Sequence, residues 1–249
     1  MEPQRPAVEP RGASTSPLRL AVFGGSFDPI HEGHLEVARR AEGVFGIERT
    51  LWIPAARPPH KLGGDLADPA QRLAMALIAT ASRPDWEVST MELEREGHSF
   101  TYDTLLEVPE RVRRHLVPKK DGGIARRRRE LELYMVLGSD NLGGLPGWKN
   151  AEDVLAIARP IVAWREGDPD EHLAALQGRL PEASIERLRE GFLRLPPLPQ
   201  SSTSIRAALA EGRLPEGALP REVAEFIVEK GLYGWPEGAE LPPADAASE

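Results

Sequence analysis

A short apolar run, Leu18–Phe23, stops abruptly at Gly24-Gly25, and a segment of helical period, Glu32–Phe45, follows within a few residues. In that segment Leu35, Ala38, Ala41 and Phe45 fall three or four apart, one face of a helix. A buried strand, a glycine turn and an amphipathic helix form the first half of a β-α-β unit, which must pair its strand with a second, parallel one. The rest of the chain repeats the alternation. Strands are expected at Thr50–Ile53, Trp86–Ser89, Leu133–Leu137, Pro160–Trp164 and Gly191–Leu195. Helices are expected at Pro69–Ala81, from Thr101 through Val108, at Asn150–Ala158 with Asn150 as N-cap, over 169–180, and at Ser204–Ala210 and Arg221–Lys230. This order predicts an α/β fold, a Rossmann-like doubly wound parallel sheet with helices on both faces.

Length and composition narrow the function. The chain has 249 residues and a formal charge of −8, enough for one sizeable core and no global basic footprint for nucleic acid. It has no cysteine, which excludes disulfides, thiolate nucleophiles and Cys-ligated zinc. The N-terminal stretch has no apolar core, and no run approaches the length of a membrane helix. A cytoplasmic protein is expected, with no membrane or nucleic-acid partner and a homo-oligomer left open. Residues 1–17 read as a disordered tail and 236–249 as a second, acidic one, flanking a single domain over 18–235. A basic insert at 111–129 interrupts the pattern, either as an exposed loop or helix extension or as a phosphate- or partner-binding arm.

The chemistry concentrates in Gly24-Gly25-Ser26-Phe27-Asp28-Pro29-Ile30-His31-Glu32-Gly33-His34. Ligands of open α/β sheets bind beyond the carboxyl ends of the strands, where this loop must lie. Glycines let backbone N–H groups approach a ligand, and a helix N-terminus favours anions. The combination describes a polyphosphate cradle. It is not a P-loop, because no Gly-Lys pair occurs in the chain. His31 and His34 also admit a metal pair or ordinary helix-start histidines, but their i,i+3 spacing departs from the usual i,i+4 zinc arrangement and no third ligand is obvious.

The eleven residues GGSFDPIHEGH resemble the signature of the HxGH nucleotidylyltransferase superfamily, and in detail that of its nicotinate-nucleotide adenylyltransferases, with Ser26 where Thr is commoner. Four further segments are similar to that family in order. Ile53–Lys61 (IPAARPPHK) resembles its PAxxPPHK loop, with Ala56 where Asn is frequent. Glu94–Leu105 is similar to ExxRxGxSYTxDTL. Gly138-Ser139-Asp140-Asn141-Leu142 with Trp148 resembles GxDxL…W, with Lys149 in place of the usual Tyr. Ser201–Arg206 looks like SSTxIR. The likeness runs from about Leu18 to Tyr233 and leaves the basic insert unmatched.

The resemblance implies transfer of AMP from ATP to nicotinic acid mononucleotide, with Mg²⁺ arriving on ATP. By this likeness His31, His34 and Arg206 are catalytic. ATP would be held by Gly24, Gly25, Ser26, Phe27, His31, Gly33, His34, Gly138, Asp140, Ser201, Ser202, Thr203 and Arg206. The acceptor would meet His60, Lys61, Ser99, Thr101, Trp148 and Lys149. No protein metal ligand is implied. Each segment has a plainer reading: Lys61 as a surface residue after a turn, Ser99, Thr101 and Asp103 as helix caps, Trp148 as packing, and the serines as an N-cap. Rival functions are the same transfer to nicotinamide mononucleotide or phosphopantetheine, a non-catalytic nucleotide-binding module, and a nucleic-acid role for the basic insert.

Overall fold

The computed structural model describes residues 16–56, 66–115, 129–164, 167–196 and 201–242. Six parallel strands form its sheet: β1 Leu18–Gly25, β2 Arg49–Pro54, β3 Trp86–Val88, β4 Leu131–Gly138, β5 Arg159–Trp164 and β6 Phe192–Arg194. Their order is β3-β2-β1-β4-β5-β6, and every neighbouring pair is parallel. The helices are α1 Glu32–Phe45, α2 Pro69–Thr80, α3 Thr101–His115, α4 Ala151–Ile157, α5 Pro169–Ala174, α6 Glu182–Glu190, α7 Ser202–Ala210 and α8 Arg221–Glu229.

Strand residues alternate between two buried layers, as the period of two requires. Ala21, Phe23, Trp52, Tyr134, Val136 and Ile161 face a layer shared with α1, α2, α7 and α8. Leu20, Val22, Leu51, Ile53, Met135 and Val162 face another, closed by α3, α4, α5 and α6. This is the doubly wound architecture the alternation predicts. The strand order reverses between β1 and β4, so a crevice opens beyond their carboxyl ends.

Several local expectations change. The helix expected over 169–180 ends at Ala174, and Gly178 adopts φ +72°, a conformation that cannot continue a helix. The unanticipated α6 buries only Ser184, Ile185 and Leu188, a stripe too narrow to show in a charge-rich sequence. Residues Ser139–Gly147, where no element is expected, form a 3-10 helix. Leu142 and Leu145 are buried from it, and a three-residue repeat aligns them on one side. Asn150 is the N-cap residue of α4, as expected, but it caps with its backbone alone: it sits at φ +53°, its carbonyl accepts from the Val154 N–H at 2.9 Å, and its Nδ2 donates to Asp153 Oδ2 at 3.2 Å.

The basic insert loses its first residues to structure, since α3 continues through Pro109 to His115. Arg111 pairs with Glu107 and Glu94. Arg129 clamps Glu48 at 2.7 Å and the Pro17 carbonyl at 2.7 Å, anchoring the entry to β1. Of the expected acidic tail, 236–242 returns to the body: Trp235 Nε1 donates to the Ala239 carbonyl at 3.1 Å, and Ala239 and Leu241 pack on the core. Among the described residues no helix is long and apolar enough to cross a membrane.

Candidate active site

A cleft of about 510 Å³ lies at the reversal of strand order. Its floor is the carboxyl ends of β1 and β4: Val22, Phe23, Val136 and Leu137. One wall is the β1–α1 loop, with Gly24, Gly25, Ser26, Gly33 and His34. The facing wall carries Ser99, Thr101 and Thr104 from the start of α3, and Gly138, Asp140, Trp148 and Lys149 from the end of β4 and the 3-10 segment. Ser202 lies at the rim.

The first wall is shaped by close packing. A Cβ at Gly24 would meet nothing within 4 Å, while one at Gly25 would come within 3.0 Å of the Phe27 ring. Gly25 is thus required by the ring beneath it, and Gly24 leaves space beside the cleft. Phe27 adopts φ +47°, an unfavourable backbone for a bulky residue. Its ring is buried against Phe23, Trp52 and His34, with centroids 5.7, 5.6 and 5.2 Å away. This aromatic packing holds the strained residue in place.

His31 is the residue before α1 and His34 stands in its first turn. The His31 N–H donates to His34 Nδ1 at 3.2 Å. That bond makes Nδ1 an acceptor and places the proton of neutral His34 on Nε2. His31 is buried, its ring centroid 3.8 Å from that of His34. Thus His34 lines the cleft and His31 backs it.

At the other end of the loop, Arg206 Nη1 donates to the Asp28 carbonyl at 2.7 Å and lies 3.5 Å from Asp28 Oδ2. Asp28 is fully buried; its Oδ1 accepts from Tyr233 Oη at 2.8 Å and from the Ala67 N–H at 3.0 Å. Burial and the Asp28 charge push the Tyr233 phenol well above its usual range, so it remains a donor. Ser202 Oγ donates to the Pro29 carbonyl at 3.2 Å. Ser201 and Ser204 cap α7 reciprocally, and Thr203 is exposed beside them. Of the hydroxyls assigned to phosphate, Ser202 is therefore the one on the cleft wall, and Ser201 is engaged as a cap.

On the facing wall, Ser99 is no cap. Its hydroxyl is buried with no hydrogen bond among the described residues. Lys149 Nζ contacts both oxygens of Asp103 at 2.8 Å and lies 5.3 Å from the Phe100 ring centroid. Trp148 is half-buried and packs on the sheet-side core, so its ring serves packing and the cleft wall together. A Cβ at Gly138 would displace the exposed Asp140 carboxylate.

The chain matches the cytidylyltransferase-like family over residues 22–208. It is 35% identical over 219 residues to a protein of Moorella thermoacetica named "probable nicotinate-nucleotide adenylyltransferase", covering 88% of this chain and 93% of the relative. A protein of the same name from Roseiflexus sp. is 37% identical, with 86% and 97% covered. The chain belongs to the nicotinate-nucleotide adenylyltransferases. Its fold is also that of the Plasmodium falciparum nicotinic acid mononucleotide adenylyltransferase complexed with NaAD, at TM-score 0.59 and 18% identity over 88% of this chain and 98% of that one.

Within this adenylyltransferase, each motif segment contributes to the lining of one cleft, but of the expected site residues Phe27, His31, Ser201, Thr203 and Arg206 do not line it, and His60 and Lys61 lie outside the described residues. Two buried residues were missed. Glu92, two positions before the quoted Glu94 segment, lines the cleft and accepts from Thr104 Oγ1 at 2.7 Å. Burial raises its carboxyl above the usual range, against the Thr104 hydrogen bond and the nearby Arg95. Its spacing of three residues ahead of Arg95 is the signal that marks it. Arg72, inside an ordinary amphipathic helix, gave no such signal.

Proposed function

We propose that this cleft joins the AMP moiety of ATP to the phosphate of nicotinic acid mononucleotide, giving nicotinic acid adenine dinucleotide and pyrophosphate, a step of NAD biosynthesis. The observation that carries the reading is the pairing of a glycine–histidine phosphate wall with an aromatic and hydroxyl wall across the β1/β4 reversal. An oxygen of the acceptor phosphate attacks the α-phosphorus of ATP. The bond from that phosphorus to the bridging oxygen of the β-phosphate breaks, and pyrophosphate departs. The nucleophile is already anionic, so the protein's work is alignment and charge stabilisation.

His34 supplies an Nε2–H donor to the oxygens on which charge develops. The Gly24, Gly25, Ser26 and Phe27 backbone holds the phosphates. Gly33 lets the helix start come close, and His31 supports the His34 ring. Arg206 approaches the leaving phosphates from α7, aided by Ser202 and the α7 N-terminus with Ser201 and Thr203. Gly138 and Asp140 border the adenosine and acceptor space. Trp148 receives the pyridine ring, Ser99 and Thr101 offer hydroxyls, and His60 with Lys61 serve the acceptor phosphate. The backbone N–H groups where Lys149 and Asn150 open α4 support an acidic ring substituent over an amide, the Lys149 charge itself being held by Asp103.

Mg²⁺ arriving on ATP would neutralise its phosphate oxygens. Among the described residues no three His, Asp or Glu side chains gather as ligands, and a cation carried by phosphate and water needs no such cluster.

The test is pyrophosphate release from ATP and Mg²⁺ with either nicotinic acid mononucleotide or nicotinamide mononucleotide. Strong release with the acid and weak release with the amide are expected. Equal release overturns the role given to the N–H groups opening α4, and release with neither overturns the acceptor.

A further inference from the structure

Arg72 sits inside α2, one per cent exposed, and none of its atoms lines the cleft. Each of its three guanidinium nitrogens donates to a different backbone carbonyl. Nη1 reaches Ser26 at 2.7 Å, Nε reaches Ala67 at 3.0 Å and Nη2 reaches Ala56 at 3.3 Å. These carbonyls belong to the loop after β1, the segment entering α2 and the loop after β2. A second bond ties the same loops, from the Ala55 N–H to the Gly25 carbonyl at 2.9 Å. Burial lowers the Arg72 guanidinium from its usual range, against the charges of Asp28, Tyr233 and Asp68. An arginine is kept in this dry position because a planar fork can satisfy three separated carbonyls, which a single ammonium cannot.

The consequence follows from peptide geometry. The Ser26–Phe27 peptide is trans, so its C=O and N–H point in opposite directions. Its carbonyl is held by Arg72, which does not line the cleft, so its N–H is turned away from Arg72, and Ser26 beside it lines the cleft. From this we infer that Arg72 is a positioning residue for the transfer reaction: it aims the Phe27 N–H at a phosphate oxygen without touching the substrate. Arg72 also locks the loop that meets the triphosphate to the loop after β2, so the two keep one spacing. This role rests on the proposed use of the β1–α1 loop for phosphates, though not on the identity of the acceptor.

Two measurements on the full chain test it. The first is an amide NMR titration of the wild-type protein with pyrophosphate and Mg²⁺. The Phe27 N–H resonance is expected to move on saturation, and a resonance that stays put while neighbouring glycine amides move overturns the inference. Failure of every loop amide to respond would instead overturn the phosphate reading of the cleft.

The second is steady-state kinetics of Arg72→Lys well below its unfolding midpoint, beside Met75→Ala, which removes a buried side chain from the same helix. Misplacing a reacting group by about 1 Å costs on the order of 100-fold, so Arg72→Lys is expected to lose roughly 10- to 100-fold in kcat. Its KM for the acceptor should rise less than kcat falls, because only the Ala56 bond reaches the segment of His60 and Lys61 while the Trp148 wall is built from other elements. Met75→Ala should lose thermal stability but keep its kcat within about two-fold. A folded Arg72→Lys with wild-type kcat, or one no slower than Met75→Ala at equal thermal stability, overturns the role. If Arg72→Lys does not fold, the pyrophosphate titration decides alone.

Discussion

The two walls of the cleft are built differently. The β1–α1 loop is fixed by buried groups: Asp28 beneath it, Arg72 and Arg206 on its carbonyls, and the Phe27 ring locked among aromatics. The facing wall mixes buried and exposed groups: Glu92 and Thr104 are buried and bonded to each other, Lys149 and Asp103 form a partly exposed pair, Trp148 is half-buried, and Ser99 keeps a buried hydroxyl without a bond among the described residues. A rigid wall suits phosphates, whose reacting geometry allows little error. A wall of side chains suits recognition of a base, where identity is read by shape and charge. Damage to the first should appear in rate and stability, and damage to the second in acceptor affinity.

The largest expected effect comes from removing the charge beneath the phosphate wall. Asp28→Ala leaves Arg72 without its buried counter-charge and Tyr233 without its acceptor, and losing one partner of a buried ionic group costs about 3–5 kcal/mol. Chemical denaturation of the variant measures it. A loss under about 1 kcal/mol would show that the loop is held without Asp28. His34→Ala comes next. Loss of one transition-state donor lowers turnover by roughly 10²–10³, with a lower thermal midpoint because the Phe27 ring and the His31 N–H lose a partner, and wild-type turnover in the folded variant would remove His34 from the mechanism. Trp148→Ala sharpens the contrast: acceptor KM is expected to rise on the order of ten-fold, since base–aromatic stacking contributes about 1–3 kcal/mol, while ATP KM holds. An equal rise for ATP would make Trp148 structural for both walls.

A smaller effect concerns Glu92, whose folded carboxyl is raised by burial. A group so raised favours folding fully below its unfolded pKa and loses that contribution as pH rises through the folded value. Glu92→Gln should therefore stabilise the protein at neutral pH, by about 1 kcal/mol, and leave stability unchanged near pH 4. Paired thermal melts at the two pH values check this, and a destabilised variant at neutral pH would mean the charge is balanced by Arg95. The smallest effect is Arg129→Ala, an exposed clamp on Glu48, at about 0–1 kcal/mol and diminished by salt.

The phosphate wall was legible in the sequence because its chemistry is contiguous: Gly24 to His34 carry their own turn and helix start. The six strands were legible because buried parallel strands are short, nearly continuous apolar runs. The arrangement beneath the wall was not. Arg72 lies 46 positions from Ser26, and its meaning comes only when α2 packs against β2 and β3 and brings its guanidinium to the loop after β1. The 3-10 segment hid among glycines, and α6 hid behind charged residues. Lys149 was expected beside the acceptor, and its pairing with Asp103 depends on the start of α3 facing the end of β4, which periodicity does not encode.

The most direct measurement is to supply ATP labelled at its α-phosphorus together with nicotinic acid mononucleotide and Mg²⁺, and to identify the labelled product. Label recovered in a dinucleotide, with unlabelled pyrophosphate released, is the predicted result. Label recovered in ADP, or remaining in ATP, would contradict attack at the α-phosphorus and with it the transfer assigned to this cleft.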